Sequence, residues 1–181
     1  MNKINFVRFI CDLLVIDQPR IYFLEEGKLT TLHGKPSNEL FKIKPEAVAT
    51  TYPEENVIII NIDVVKDTYV YIVLAHELRH IYQYQAIKNP SWVEPMANTW
   101  KKEMSHYSAS NISGYESQNV EIDAIAFSKM ICNIVLKKDF ETNCDQKKLQ
   151  KRINQLKQDF TLEEIIECYE YNIGAFNREQ A

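Results

Sequence analysis

Residues 68–87 contain neither glycine nor proline, and five residues separate them from the end of Val57-Ile58-Ile59-Ile60-Asn61-Ile62, a nearly continuous β-branched run. The first stretch can continue as one helix of five turns, and the second is the strongest strand signal in the chain. A buried strand feeding a long helix limits the architectures open to this protein. Within the helix lies Leu74-Ala75-His76-Glu77-Leu78-Arg79-His80-Ile81, which places two of the four histidines of the chain four residues apart. On a helix, such residues stand one above the other on the same face, so His76 and His80 can aim two ring nitrogens at one point. The apolar neighbours Val73, Leu74, Ala75, Leu78 and Ile81 call for a helix at least half buried.

The rest of the chain reads as a short β region followed by helices. Apolar side chains at Ile4, Phe6, Val7, Phe9, Ile10, Leu13 and Leu14 predict a helix over residues 3–15. Residues 21–24 and 29–32, on either side of Glu25-Glu26-Gly27, predict a hairpin. The Pro-, Lys- and Glu-rich residues 35–55 predict an irregular connection with one short strand. A second helix is expected over 93–107, with Pro95 in its first turn, then a loop over 108–114. Three more helices are expected, over 115–137 or 118–137, over 146–159 and over 162–172, with Thr161 capping the last. Four glycines and six prolines in 181 residues are too few for a sandwich or barrel. The expected fold class is therefore α+β, mostly α, in a single domain over residues 1–181.

Composition narrows the function. A net charge of -4, with both signs mixed along the chain, offers no basic field for a phosphate backbone, so no nucleic-acid partner is expected. The basic run over 147–157, "KKLQKRINQLK", reads as a solvated helix face. No stretch has the roughly 18 uninterrupted apolar residues of a membrane span, and the N-terminus lacks a secretory pattern, so the expected location is the cytoplasm. Cys11, Cys132, Cys144 and Cys168 form no C-x-x-C pair and read as reduced or buried thiols. His33 reads as a turn residue, and Trp92 and Trp100 as packing or groove-wall residues.

The His76/His80 spacing is that of two zinc ligands supplied by one rigid element. Glu77, about 100° around the helix from His76, can reach a water held by the same ion and act as a base. A catalytic zinc takes three protein ligands and leaves one position open, so a third ligand must come from elsewhere. Glu94, Glu103, His106, Glu116, Glu121 and Asp123 are candidates. Glu121 and Asp123 fall inside a helix whose apolar content demands burial, and a buried acid is costly unless a charge compensates it.

"HELRH" followed by "EIDAIAF" resembles the gluzincin type of zinc metallopeptidase, and most of all the ImmA/IrrE-like peptidases of bacteria and mobile elements. Their second motif is Glu-x-x-Ala-x-x-Phe-Ala, which Glu121, Ala124 and Phe127 match. Ser128 replaces the final alanine, Ile125 stands where relatives often carry Asn or Asp, and Arg79 stands in place of a frequent glycine, a change expected to matter little to the metal. The resemblance covers residues 57–130. It implies a zincin-like domain with a small N-terminal sheet on the active-site helix, and Glu121 as third ligand beside His76 and His80. It further implies hydrolysis of peptide bonds in a small set of intracellular proteins, often regulatory ones. Asp123, about 200° from Glu121, would then orient a ligand histidine. An oxyanion donor is sought among His106, Tyr107 and Tyr115, and the strand over 57–62 would offer an edge to an extended peptide. The alternative is a zincin-fold adaptor without catalysis. Retention of Glu77 favours the enzyme, because a purely structural site has no use for a base.

Overall fold

A computed structural model describes residues 2–89, 91, 94–105 and 118–179. The chain is α+β. Helix α1 (Lys3–Leu14) leads into strands β1 (Arg20–Glu25), β2 (Lys28–Thr31), β3 (Pro36–Ser37), β4 (Ala49–Tyr52) and β5 (Val57–Asn61). A single 3-10 turn, Asp67–Tyr69, opens α2 (Val70–Lys88). The helices α3 (Ala97–Met104), α4 (Asn119–Leu136), α5 (Gln146–Asp159) and α6 (Leu162–Glu179) follow. None of the described helices is long and apolar enough to cross a membrane.

The five strands form one mixed sheet in the order β3-β2-β1-β5-β4. The β1–β2 hairpin is antiparallel and turns at Glu26 and Gly27, which both take positive φ, the backbone that the twist of a two-residue hairpin loop requires. β5 runs parallel to β1, with Tyr22 opposite Ile59, and antiparallel to β4, with Thr51 opposite Ile58. The connection over 35–55 thus holds two short strands, where the sequence pattern suggests one. β5 also lies inside the sheet. Both its edges are paired, so it presents none to a peptide, and the edge on that side belongs to β4.

The unbroken apolar run of β5 follows from its place, since every one of its residues is buried and the sheet is covered on both faces. Ile58 and Ile60 join Ile21 and Phe23 on the face under the helices, with Phe6 and Phe9 of α1, Leu74 and Leu78 of α2, and Phe127 of α4. On the other face Tyr22, Val57 and Ile59 are covered by Phe41, Ile43 and Tyr52. α2 lies between the sheet and α4, and so carries His76 and His80 along the inner seam of the protein. It ends at Asn89, which is extended, as the residue before a proline prefers.

The later helices show why pattern alone sets limits. The second helix of the pattern begins at Ala97 instead of 93, because Pro95 and Met96 form a turn with Glu94 accepting from the Met96 N–H. Its C-terminal part and the loop over 108–114 lie outside the described residues. Thr161 and Glu164 exchange hydrogen bonds in a capping box, and α6 then runs to Glu179, well past the expected end. In α5, Lys147, Lys148, Lys151 and Lys157 are exposed, but Arg152 within the same basic run is buried. His33 lies in a turn and Trp100 is fully buried; Trp92 lies outside the described residues. The four cysteines form no disulfide.

Candidate metal centre

His76 and His80 project from one face of α2 toward the first turn of α4, where Glu121 stands. That turn is anchored from α3: the Glu103 carboxylate accepts from the Val120 N–H at 2.9 Å and from the Asn119 side chain at 2.6 Å. Glu103 thereby satisfies one of the unpaired donors at the start of α4 and sets the position of Glu121. Glu94 is engaged elsewhere, accepting from the Tyr82 hydroxyl at 2.9 Å.

The ligand atoms of His76, His80 and Glu121 all lie within 4.8 Å of one another, the one such group among the described residues, and they could hold a metal ion. The two Nε2 atoms are 3.0 Å apart, and each is 3.4 Å from a different oxygen of Glu121. Tetrahedral coordination at ordinary zinc–ligand lengths spaces two ligand atoms by about 3.3 Å. The donor set fits in chemistry as well as spacing, since two imidazoles and one carboxylate leave room for a further ligand. Two ring nitrogens facing each other this closely also require a cation or a proton between them, because two lone pairs would repel.

Electrostatics point the same way. Glu121 is 1% exposed. Burial raises the pKa of its carboxyl, but the charge of His80 and hydrogen bonds from His76 and His80 outweigh this and hold it below the usual range. Burial lowers the pKa of His80, yet the Glu121 carboxylate, with smaller contributions from Glu77 and Gln83, brings it up to about 9. The site thus demands positive charge, which the His80 ring supplies as a proton when no metal ion does.

Scans of family models, curated proteins and solved structures return no match to this chain.

Glu77, next to His76 and half-buried, accepts a hydrogen bond at 2.5 Å from the Thr51 hydroxyl of the edge strand β4. Thr51 escaped the sequence reading because 26 residues separate the pair. Asp123 does not touch either histidine. Its Oδ2 accepts from Arg79 Nε at 2.8 Å and Gln83 Nε2 at 2.7 Å, and its Oδ1 from Arg152 Nε at 2.7 Å and Arg79 Nη2 at 3.2 Å. A carboxylate has about four lone-pair positions, and all four are taken. The expected contact from Asp123 to a ligand histidine is therefore replaced by one from Gln83, whose Oε1 lies 2.8 Å from His80 Nδ1. Arg79 also has a larger part than expected: it is 1% exposed, clamps Asp123 through two nitrogens and stacks 4.2 Å from the Tyr82 ring centroid. The oxyanion candidates His106, Tyr107 and Tyr115 lie outside the described residues, as does Glu116.

Proposed function

We propose that the protein is a zinc-dependent peptidase of the gluzincin type, with His76, His80 and Glu121 as ligands and Glu77 as general base. The observation that carries this reading is the convergence of the three ligand atoms with a fourth side chain, the acidic Glu77, held beside them by Thr51. Bound zinc would supply Lewis acidity, making a water more acidic and a peptide carbonyl more electrophilic. Glu77 accepts the proton released when that water attacks the carbonyl and delivers it to the leaving amine nitrogen. The Thr51 hydrogen bond engages Oε2 of Glu77 and leaves its other oxygen for this transfer. An extended peptide substrate would pair with the outer edge of β4, whose inner edge is bonded to β5.

Elemental analysis of purified protein should give about one zinc per chain, the content expected of a three-ligand site. A peptide library should then reveal cleavage that Glu77→Gln abolishes, with a loss of about 10²- to 10⁴-fold while zinc content stays the same. Unchanged turnover in that variant would falsify the scheme. Zinc bound at one per chain with no peptide cleaved would favour an adaptor that keeps the fold and the ion.

A further inference from the structure

We propose that Gln83 is a positioning residue of this centre, fixing the tautomer and the rotation of the His80 ring, and that Asp123, clamped by Arg79 and Arg152, holds Gln83 in place. The inference rests on the metal-binding reading above.

The hydrogen bonds of Gln83 leave one assignment. Its Nε2 lies 2.9 Å from the Val120 carbonyl oxygen and 2.7 Å from Asp123 Oδ2, and neither of those atoms can donate. The Nε2 group must therefore be the amide nitrogen, with both its hydrogens used. The remaining atom, Oε1, can only accept, so His80 Nδ1 must carry the hydrogen across the 2.8 Å contact. With Nδ1 protonated, the lone pair of the neutral ring is on Nε2, which faces His76 Nε2 and Glu121. Gln83 is fully buried, so water does not compete for these bonds. It also sits three residues after His80, one turn along the same face of α2.

Behind Gln83 the network is charged and closed. Asp123 is fully buried and accepts from residues of α2, Arg79 and Gln83, and of α5, Arg152. Rotating Gln83 away from His80 would break two further hydrogen bonds, one of them to a carboxylate already held between two guanidinium groups. The orientation of His80 thus depends on a helix far along the chain from the metal-ligand motif.

The full chain, labelled with nitrogen-15 at histidine and kept in buffer containing zinc, so that a metal ion and not a second proton is offered to Nε2, tests this by NMR. The wild type should show a His80 Nδ1–H resonance that exchanges slowly with water. Gln83→Met, similar in size but unable to accept, should lose it, and its zinc affinity by chelator competition should fall about 10- to 100-fold. Gln83→Glu keeps an oxygen facing the ring and, as the neutral acid, one hydrogen for Asp123 Oδ2, so it should retain the resonance and lose less affinity than Gln83→Met. Should Gln83→Met fail to fold, the wild-type resonance and its survival in Gln83→Glu decide the matter. A wild-type protein without a protected Nδ1–H, or a Gln83→Met protein that binds zinc as tightly as the wild type, overturns the proposal. If the wild type binds no zinc yet shows a protected Nδ1–H that depends on Gln83, the orienting role stands and the metal reading fails.

Discussion

Glu121 and Asp123 stand two residues apart on α4, both buried, and their surroundings differ in kind. Asp123 faces two guanidinium groups and an amide, all permanent donors, and its charge is balanced by the protein itself. Glu121 faces two imidazoles, whose charge depends on conditions. Both carboxyls are held below the usual range, Asp123 by Arg79 and Arg152 and Glu121 by His80 and His76, in each case against the cost of burial. One side of the helix is therefore a closed ionic cluster that fixes structure. The other is a site whose counter-charge can be exchanged, which is what a metal centre requires.

The largest expected effect separates the two. Asp123→Asn removes the charge that compensates Arg79 and Arg152, and arginine cannot shed its proton. Leaving such buried charges unpaired should cost about 3–5 kcal/mol in unfolding free energy, measured by urea denaturation. Glu121→Gln should cost less, at most the roughly 3 kcal/mol that its pairing with protonated His80 supplies in the metal-free protein, because His80 can lose its proton when its partner goes. Equal losses in the two variants would show that the Glu121 side is as closed as the Asp123 side.

The pH dependence of metal-free protein sharpens the contrast. The folded-state pKa of His80 is raised from 6.5 to about 9. The stabilisation this provides is fully present below 6.5, declines through the interval and is lost above 9, a change of up to about 3 kcal/mol. Asp123, whose carboxyl is held below the usual carboxylate range, should add no slope in that window. Zinc at 100 times its dissociation constant should then stabilise the wild type by about 2.7 kcal/mol and leave Glu121→Gln unchanged. Chelation should reverse the gain, as read by the unfolding midpoint.

Local features of this fold were legible, and long-range ones were not. The helix over 70–88 followed from the absence of glycine and proline, and β5 from its β-branched run. The grouping of His76 with His80 follows from helical geometry, and Glu121 was singled out by its place in an apolar helix and by the family-like pattern around it. Strand order is a tertiary property, so nothing in the pattern over 57–62 distinguishes an inner strand from an edge. Ala49–Tyr52 is too short to stand out within a connection rich in Pro, Lys and Glu. Arg152 sits among exposed lysines and is told apart from them only by Asp123, 29 residues away. Gln83 carries a helical-spacing signal, i+3 from His80, but a glutamine there is also an ordinary surface choice. Its role becomes visible once Asp123 and Val120 are seen to take both its hydrogens.

The smallest expected effect concerns the open side of the comparison. Thr51 ties the edge strand β4 to Glu77 by a hydrogen bond from its hydroxyl at 2.5 Å. Thr51→Val keeps the branched shape that suits a strand and removes only the donor. Hydrogen bonds to a charged group contribute about 1.5 kcal/mol at the lower end of their range, so kcat/KM on a peptide that the wild type cleaves should fall about tenfold. Thr51→Ser should restore most of it, and zinc content should be the same in all three proteins. A loss confined to kcat would mean that the hydroxyl positions the base for proton transfer. A rise in KM alone would mean that β4 acts in holding the substrate, and the side of α4 that carries Glu121 would then be joined to the sheet by binding and not by catalysis.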